Sequence, residues 1–145
     1  MQTVWREHAE GEIPGDALCV SQIGAKGNGE IVRGFILIPV DRASERGKLL
    51  SCIVEELTQS LGLINDSPDL YPSIFNDESN NQMMTSLDWL LLRALYDTEL
   101  HAGMTLDEVR RKVPQVLARL VDQGVRGEGE AHLRASLLYP LMEIN

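Results

Sequence analysis

Glu55 and Gln59 stand four residues apart in the string EELTQSLGLIND, with Glu56 beside the first and Gly62, Asn65 and Asp66 following. On a helix, residues four apart project from one face, so an acid and an amide there can approach a common point. Zinc sites are built from His nitrogen, Cys sulfur and some carboxylate oxygen, so Glu55, Gln59 and Asn65 make a poor zinc set. A hard cation such as calcium accepts oxygen donors, usually six or more and richer in carboxylate. Asp66, Asp69, Asp77 and Glu78 are close enough in sequence to add that charge. No cofactor is expected, and calcium is the ion whose preferences these residues fit best. Glu56 has a second chemistry open to it. A partly buried carboxylate beside another acid holds its proton more tightly and can act as general acid or base without a metal. Two plain structural alternatives stand beside these. Glu56 and Gln59 could hydrogen-bond the segment 64–78 and hold its turns, or they could lie on the solvated side of a surface helix ended by glycine.

The element that must carry these side chains is a helix over 46–63. Leu50, Ile53, Val54, Leu57 and Leu61 recur there at helical spacing, as one apolar stripe expected to face a core. Gly62 stands where such a helix stops. Before it, residues 17–26 and 30–40 read as strands joined by the turn AKGNGE, with Pro39 ending the second or placing it at an edge. After it, residues 64–82 are crowded with Asn, Asp, Ser and Pro and read as a long loop, of the kind that often serves function. A second helix is expected over 85–97, capped by Thr85 or Ser86, with Trp89, Leu92 and Tyr96 in the core and Met83 and Met84 beneath it. A third runs over 104–124, opened by a Thr105–Glu108 capping box and kinked or divided at Pro114. A fourth covers 130–144. Strand, strand, helix, long loop and three helices make an α+β fold with an early sheet.

The 145 residues suit one domain, and 43% hydrophobic with 24% charged residues is ordinary for a soluble globular protein. A net charge of -9 argues against nucleic acid and anionic membrane surfaces as partners, since both reward Lys and Arg. No apolar run is long enough to span a membrane. The opening MQTVWREHAEGEIPGD lacks the apolar core of a signal peptide, so an exported protein would have its leader outside this stretch. Cys19 and Cys52 lack CxxC spacing. They are either two buried thiols or one disulfide tying the first strand to the following helix, and the latter needs an oxidising compartment. His8, His101 and His132 are scattered and read as surface or capping residues. No base partner for a Ser or Cys nucleophile appears, and AKGNGE lacks the Lys-Ser/Thr pair of a phosphate loop.

The string 55–66 resembles the zinc-peptidase motif H-E-x-x-H-x-x-G-x-x-H-D. Glu56 falls on the catalytic Glu, Gly62 on the Gly and Asp66 on the trailing Asp, while Glu55, Gln59 and Asn65 replace the three histidines. The surroundings resemble matrixin-like metzincins over residues 17–97: GEIVRGFILIPVD as the edge strand, YPSIFND as the Met-turn segment with Phe75 for Met, and MTSLDWLLLRALYD as the closing helix. EELTQSLGLINDS, PSIFND and LLLRALYD together are most similar to a bacterial domain family of unknown function, often found in exported proteins and lipoproteins and grouped with metzincin-like peptidases. The resemblance implies a zincin-like core with residues 98–145 as a helical extension. It also implies a cleft formed by Glu55, Glu56, Gln59 and Asn65, supported by Gly62, Asp66 and Phe75. Without the histidines the zinc does not carry over. The implied function is non-catalytic: binding of a protein, peptide or glycan of the cell envelope by an exported (periplasmic, lipoprotein or secreted) chain. The rival is a hydrolase using Glu56 with an unusual metal or none.

Overall fold

The computed structural model describes residues 17–76, 78 and 81–139. It is a mixed α+β protein whose chain divides between Asn65 and Asp66 into two compact units.

The first unit opens with a hairpin. β1 (Val20–Ala25) pairs antiparallel with β2 (Ile31–Leu37), in a register that sets Val20 opposite Leu37 and Ile23 opposite Gly34, with an irregularity between Gly24 and Ala25. The turn closes through hydrogen bonds from Lys26 N to Glu30 O and from Gly29 N to Lys26 O, both 2.9 Å. Gly29 adopts φ 84°, a conformation costly to any residue with a Cβ. Pro39 ends the strand and serves as N-cap of a short helix, α1 (Val40–Glu45), where its missing N–H costs nothing. Gly47, at φ 64°, then turns the chain into α2 (Leu49–Ser60), which packs on both strands and on α1. A disulfide joins Cys19 to Cys52, with Cα atoms 5.7 Å apart, and fastens α2 to the chain entering β1.

The second unit is a three-helix cluster preceded by an ordered loop. α3 (Ser86–Leu95) packs against α4 (Leu106–Asp122) and α5 (Val125–Ala135). Leu90, Ala94, Val116, Leu120 and Val125 form its core, with Trp89, Leu100 and Leu117 against them. α3 and α4 begin with reciprocal capping boxes, Thr85 with Asp88 and Thr105 with Glu108. Pro114 does not divide α4, which runs unbroken across it. The last helix starts earlier than its apolar pattern implies, because Gly124 at φ 77° reverses the chain immediately after α4. It ends at Ala135, short of the expected 130–144, of which residues 140–144 lie outside the described set. Tyr96, expected in the core, is exposed just past the end of α3. No helix among the described residues is long and apolar enough to cross a membrane.

Two contacts fix the helix cluster and can be tested. A Cβ built on Gly129 would lie 2.7 Å from Trp89 Cγ and 2.9 Å from Trp89 Cβ, so α5 crosses α3 at a distance only glycine permits. Gly129→Ala is therefore expected to destabilise by about 1–3 kcal/mol through overpacking, despite alanine's better helix propensity; chemical denaturation followed by Trp89 fluorescence checks this. Arg119 Nη2 lies 2.8 Å from each Asp97 carboxylate oxygen and 3.1 Å from Glu99 Oε1. The bond from Arg119, with one from the Glu99 backbone N–H, holds the Asp97 carboxyl below its usual range. A depressed acid stabilises the fold above its unfolded pKa and loses that contribution as pH falls through its folded value. Unfolding curves taken below about pH 4 should therefore show a shallower acid loss for Asp97→Asn than for the parent.

Candidate functional site

The candidate residues of the first unit lie on α2, and their orientation is the reverse of what apolar periodicity predicts. Cys52, Glu56 and Gln59 follow one another at i, i+4 and i+7, which sets them along one side of the helix. Cys52 is bonded to Cys19, so that side is held toward the hairpin. Glu56 is 5% exposed and Gln59 7%, and Ser51 and Thr58 are buried with them. Thr58 Oγ1 donates back to Val54 O at 2.5 Å and Ser51 Oγ to Lys48 O at 3.0 Å, which satisfies their hydroxyls within the helix. On the opposite side Ile53 is 38% exposed, Leu57 53% and Leu61 46%. Three of the five residues of the stripe expected to face the core are thus exposed, Leu50 and Val54 being half-buried, and the alternative that placed Glu56 and Gln59 on a solvated side does not hold.

Glu55 sits at the edge of the buried side, partly exposed. Gly62 follows the helix at φ 127° and donates its N–H to Gln59 O at 2.8 Å. Asn65 and Asp66 beyond it are both exposed. Asp66 begins the second unit, to which Phe75 also belongs. Within the first unit the fold therefore groups Glu56 and Gln59 with Cys52 and leaves Asn65 in solvent. Among the described residues, no group of three or more His, Cys, Asp or Glu side chains could hold a metal ion. Asp77, one of the acids considered for such a site, lies outside them. His101 is exposed, and His132, also exposed, lies over Trp89 with ring centroids 5.2 Å apart.

The second unit holds a polar centre that sequence reasoning missed. Asp88, wholly buried at the third position of α3, collects four donors. Ser73 Oγ donates to its Oδ1 at 2.5 Å. Ile74 N, Thr85 N and Thr85 Oγ1 lie 3.1, 2.7 and 3.0 Å from its Oδ2. Ser73 Oγ accepts in turn from Phe75 N at 3.0 Å. Buried Asn76 ties the other side of the loop: its Nδ2 donates to Pro68 O and Leu70 O at 3.1 and 2.7 Å, and its Oδ1 accepts from Glu78 N at 2.9 Å. Phe75, 1% exposed, is anchored between these two hubs. Residues 67–76 are thus a fixed structure rather than a mobile loop. The local half of the signal, Thr85 three residues before Asp88, is visible in the sequence as a capping box; the partnership with Ser73 is not.

Chemically, the Asp88–Ser73 pair has the elements of an acid-assisted hydroxyl, but both residues are fully buried, and Ser73 is already engaged as donor and acceptor. It serves to hold the loop. Residues 3–115 match the family model described as a protein of unknown function, DUF2927. No curated protein and no solved structure matches the chain.

Proposed function

This chain belongs to the DUF2927 family, and we propose that it is a non-catalytic binding domain of an exported protein, derived from a metzincin-like scaffold and engaging an apolar segment of a protein or peptide. The observation that carries this reading is the inverted α2. The position of the peptidase general base, Glu56, and the neighbouring ligand position, Gln59, are withdrawn from solvent, whereas Ile53, Leu57 and Leu61 are offered to it. A hydrolytic acid must reach water and substrate. Contiguous exposed aliphatic side chains mark interaction surfaces, and these carry no aromatic ring on which a sugar would stack. The disulfide supports export, since such bonds form and persist in oxidising compartments. Gly62, turning the chain just past α2, supports the descent, since the peptidase motif places its glycine there. No metal enters this reading.

The test pans a random peptide library against the full chain. Apolar peptides should be enriched and should lose affinity at least tenfold for Leu57→Ser with Leu61→Ser, while Glu56→Gln binds them as the parent does. Glu56-dependent cleavage of a generic protein substrate, or a thermal shift with zinc, calcium or manganese that Glu56→Gln removes, would overturn the reading in favour of a hydrolase.

A further inference from the structure

We propose that the apolar stripe of α2 is covered by the same stripe of a second copy of this chain, the two helices running antiparallel about a two-fold axis at Leu57. The apolar segment engaged by the binding surface is then α2 itself, so this assignment rests on the binding reading.

The partners of Glu55, Glu56 and Gln59 hold the buried side of α2 in place. What needs a cause is the composition of the side left exposed. Every exposed residue from Leu49 to Leu61 is aliphatic: Ile53, Leu57 and Leu61. The acids Glu55 and Glu56 lie on the other side, half-buried and buried. A surface helix ordinarily turns charged or polar side chains to water. One whose outward side carries none is shaped to be covered. The first unit also has little interior of its own: among its described residues the buried apolar ones are Ala43 and Cys52. A unit so small leans on a disulfide, which it has, or on association.

Spacing and charge select a second copy as the occupant. Ile53, Leu57 and Leu61 stand at i, i+4 and i+8 and form one ridge, and such a ridge fits the groove beside an identical one. With Leu57 on the axis, Ile53 of each copy meets the partner subunit's Leu61, so both sides of the contact are the same surface. The charges give the direction. α2 has no acid in its first turn and no base in its last, the placement that would complement its own dipole. Cations stand at its start instead. Lys48 is the N-cap and makes no side-chain cap hydrogen bond, and exposed Arg46 precedes it by two residues. Among the described residues neither forms an ion pair. In an antiparallel pair the cationic start of each α2 lies beside the partly negative carbonyl end of the other, and the two dipoles oppose. A parallel pair would bring the cations together. α2 has 12 residues and is therefore roughly 18 Å long. A pair of such helices buries less than the ~1,200 Å² of a standard interface, so the dimer should be weak and form in the micromolar range.

Sedimentation equilibrium of the full chain, run from micromolar to millimolar protein, tests the pairing. The parent should pass from monomer to dimer. Leu57→Ser should weaken the dimer at least tenfold, with the fold retained by circular dichroism. Lys48→Glu is the sharper variant. An acid at the start of α2 complements its own dipole, so the monomer should resist urea at least as well as the parent. Its dimer should nevertheless weaken at least threefold, because the acid now faces the partner's carbonyl end. Retention of the dimer by Leu57→Ser or by Lys48→Glu overturns the pairing. A monomeric parent overturns it too, and the peptide library then separates the two readings. Leu57-dependent capture of apolar peptides would leave the binding reading standing with a foreign partner on the stripe, and no capture would remove both.

Discussion

Asp88→Ala should lower the stability of the second unit by about 4 kcal/mol. Removal of the carboxylate leaves the N–H groups of Ile74 and Thr85 buried without their acceptor, at roughly 1–3 kcal/mol each, and strips α3 of its reciprocal cap, at about 1 kcal/mol. Asp88→Asn is the informative control. Its amide oxygen can still accept both N–H groups, while its NH2 can donate to Ser73 Oγ once that hydroxyl turns. Asparagine should therefore recover more than half of the loss. Urea unfolding read at Trp89 measures both. Equal losses for the two variants would mean that charge, and not acceptor geometry, holds the loop.

Loss of the disulfide is the other large effect. It closes a loop with a sequence separation of 33, for which the chain-entropy account predicts about 3.7 kcal/mol at 25 °C. The Cys19→Ser, Cys52→Ser variant should shift the urea midpoint down by about 2 M for an unfolding slope near 2 kcal/mol/M. An unchanged midpoint would show that the bond contributes nothing to the first unit.

The parts of this fold legible in the sequence are those written locally. AKGNGE announces its turn because Gly29 tolerates the left-handed backbone that the turn requires, and Thr105 with Glu108 announces a helix start because both partners lie within one turn. The start of α5 was obscured because a glycine, and not a hydroxyl or acid, occupies its N-cap. Periodicity found the two sides of α2 but assigned the apolar one to the core, whereas Cys52, Glu56 and Gln59 take the buried side. One clue was present: Cys52, Glu56 and Gln59 share a face, so pairing Cys52 with Cys19 already directs the acid toward the hairpin. The Asp88 centre was out of reach because Ser73 lies 15 residues away, and nothing local distinguishes it from any other loop serine.

The loop from 67 to 76 is written in two distant places at once. Its shape is dictated from within by Asn76 and from outside by Asp88 and by Thr85, which donates to Pro72 O, while the Tyr71 side chain stands largely in solvent. Divergent copies of this domain should accordingly exchange the side chain at position 71 freely. A copy that discards the acid at 88 must abandon the serine at 73 in the same evolutionary move. Paired loss of those two side chains would trace the point at which a lineage rebuilt this loop.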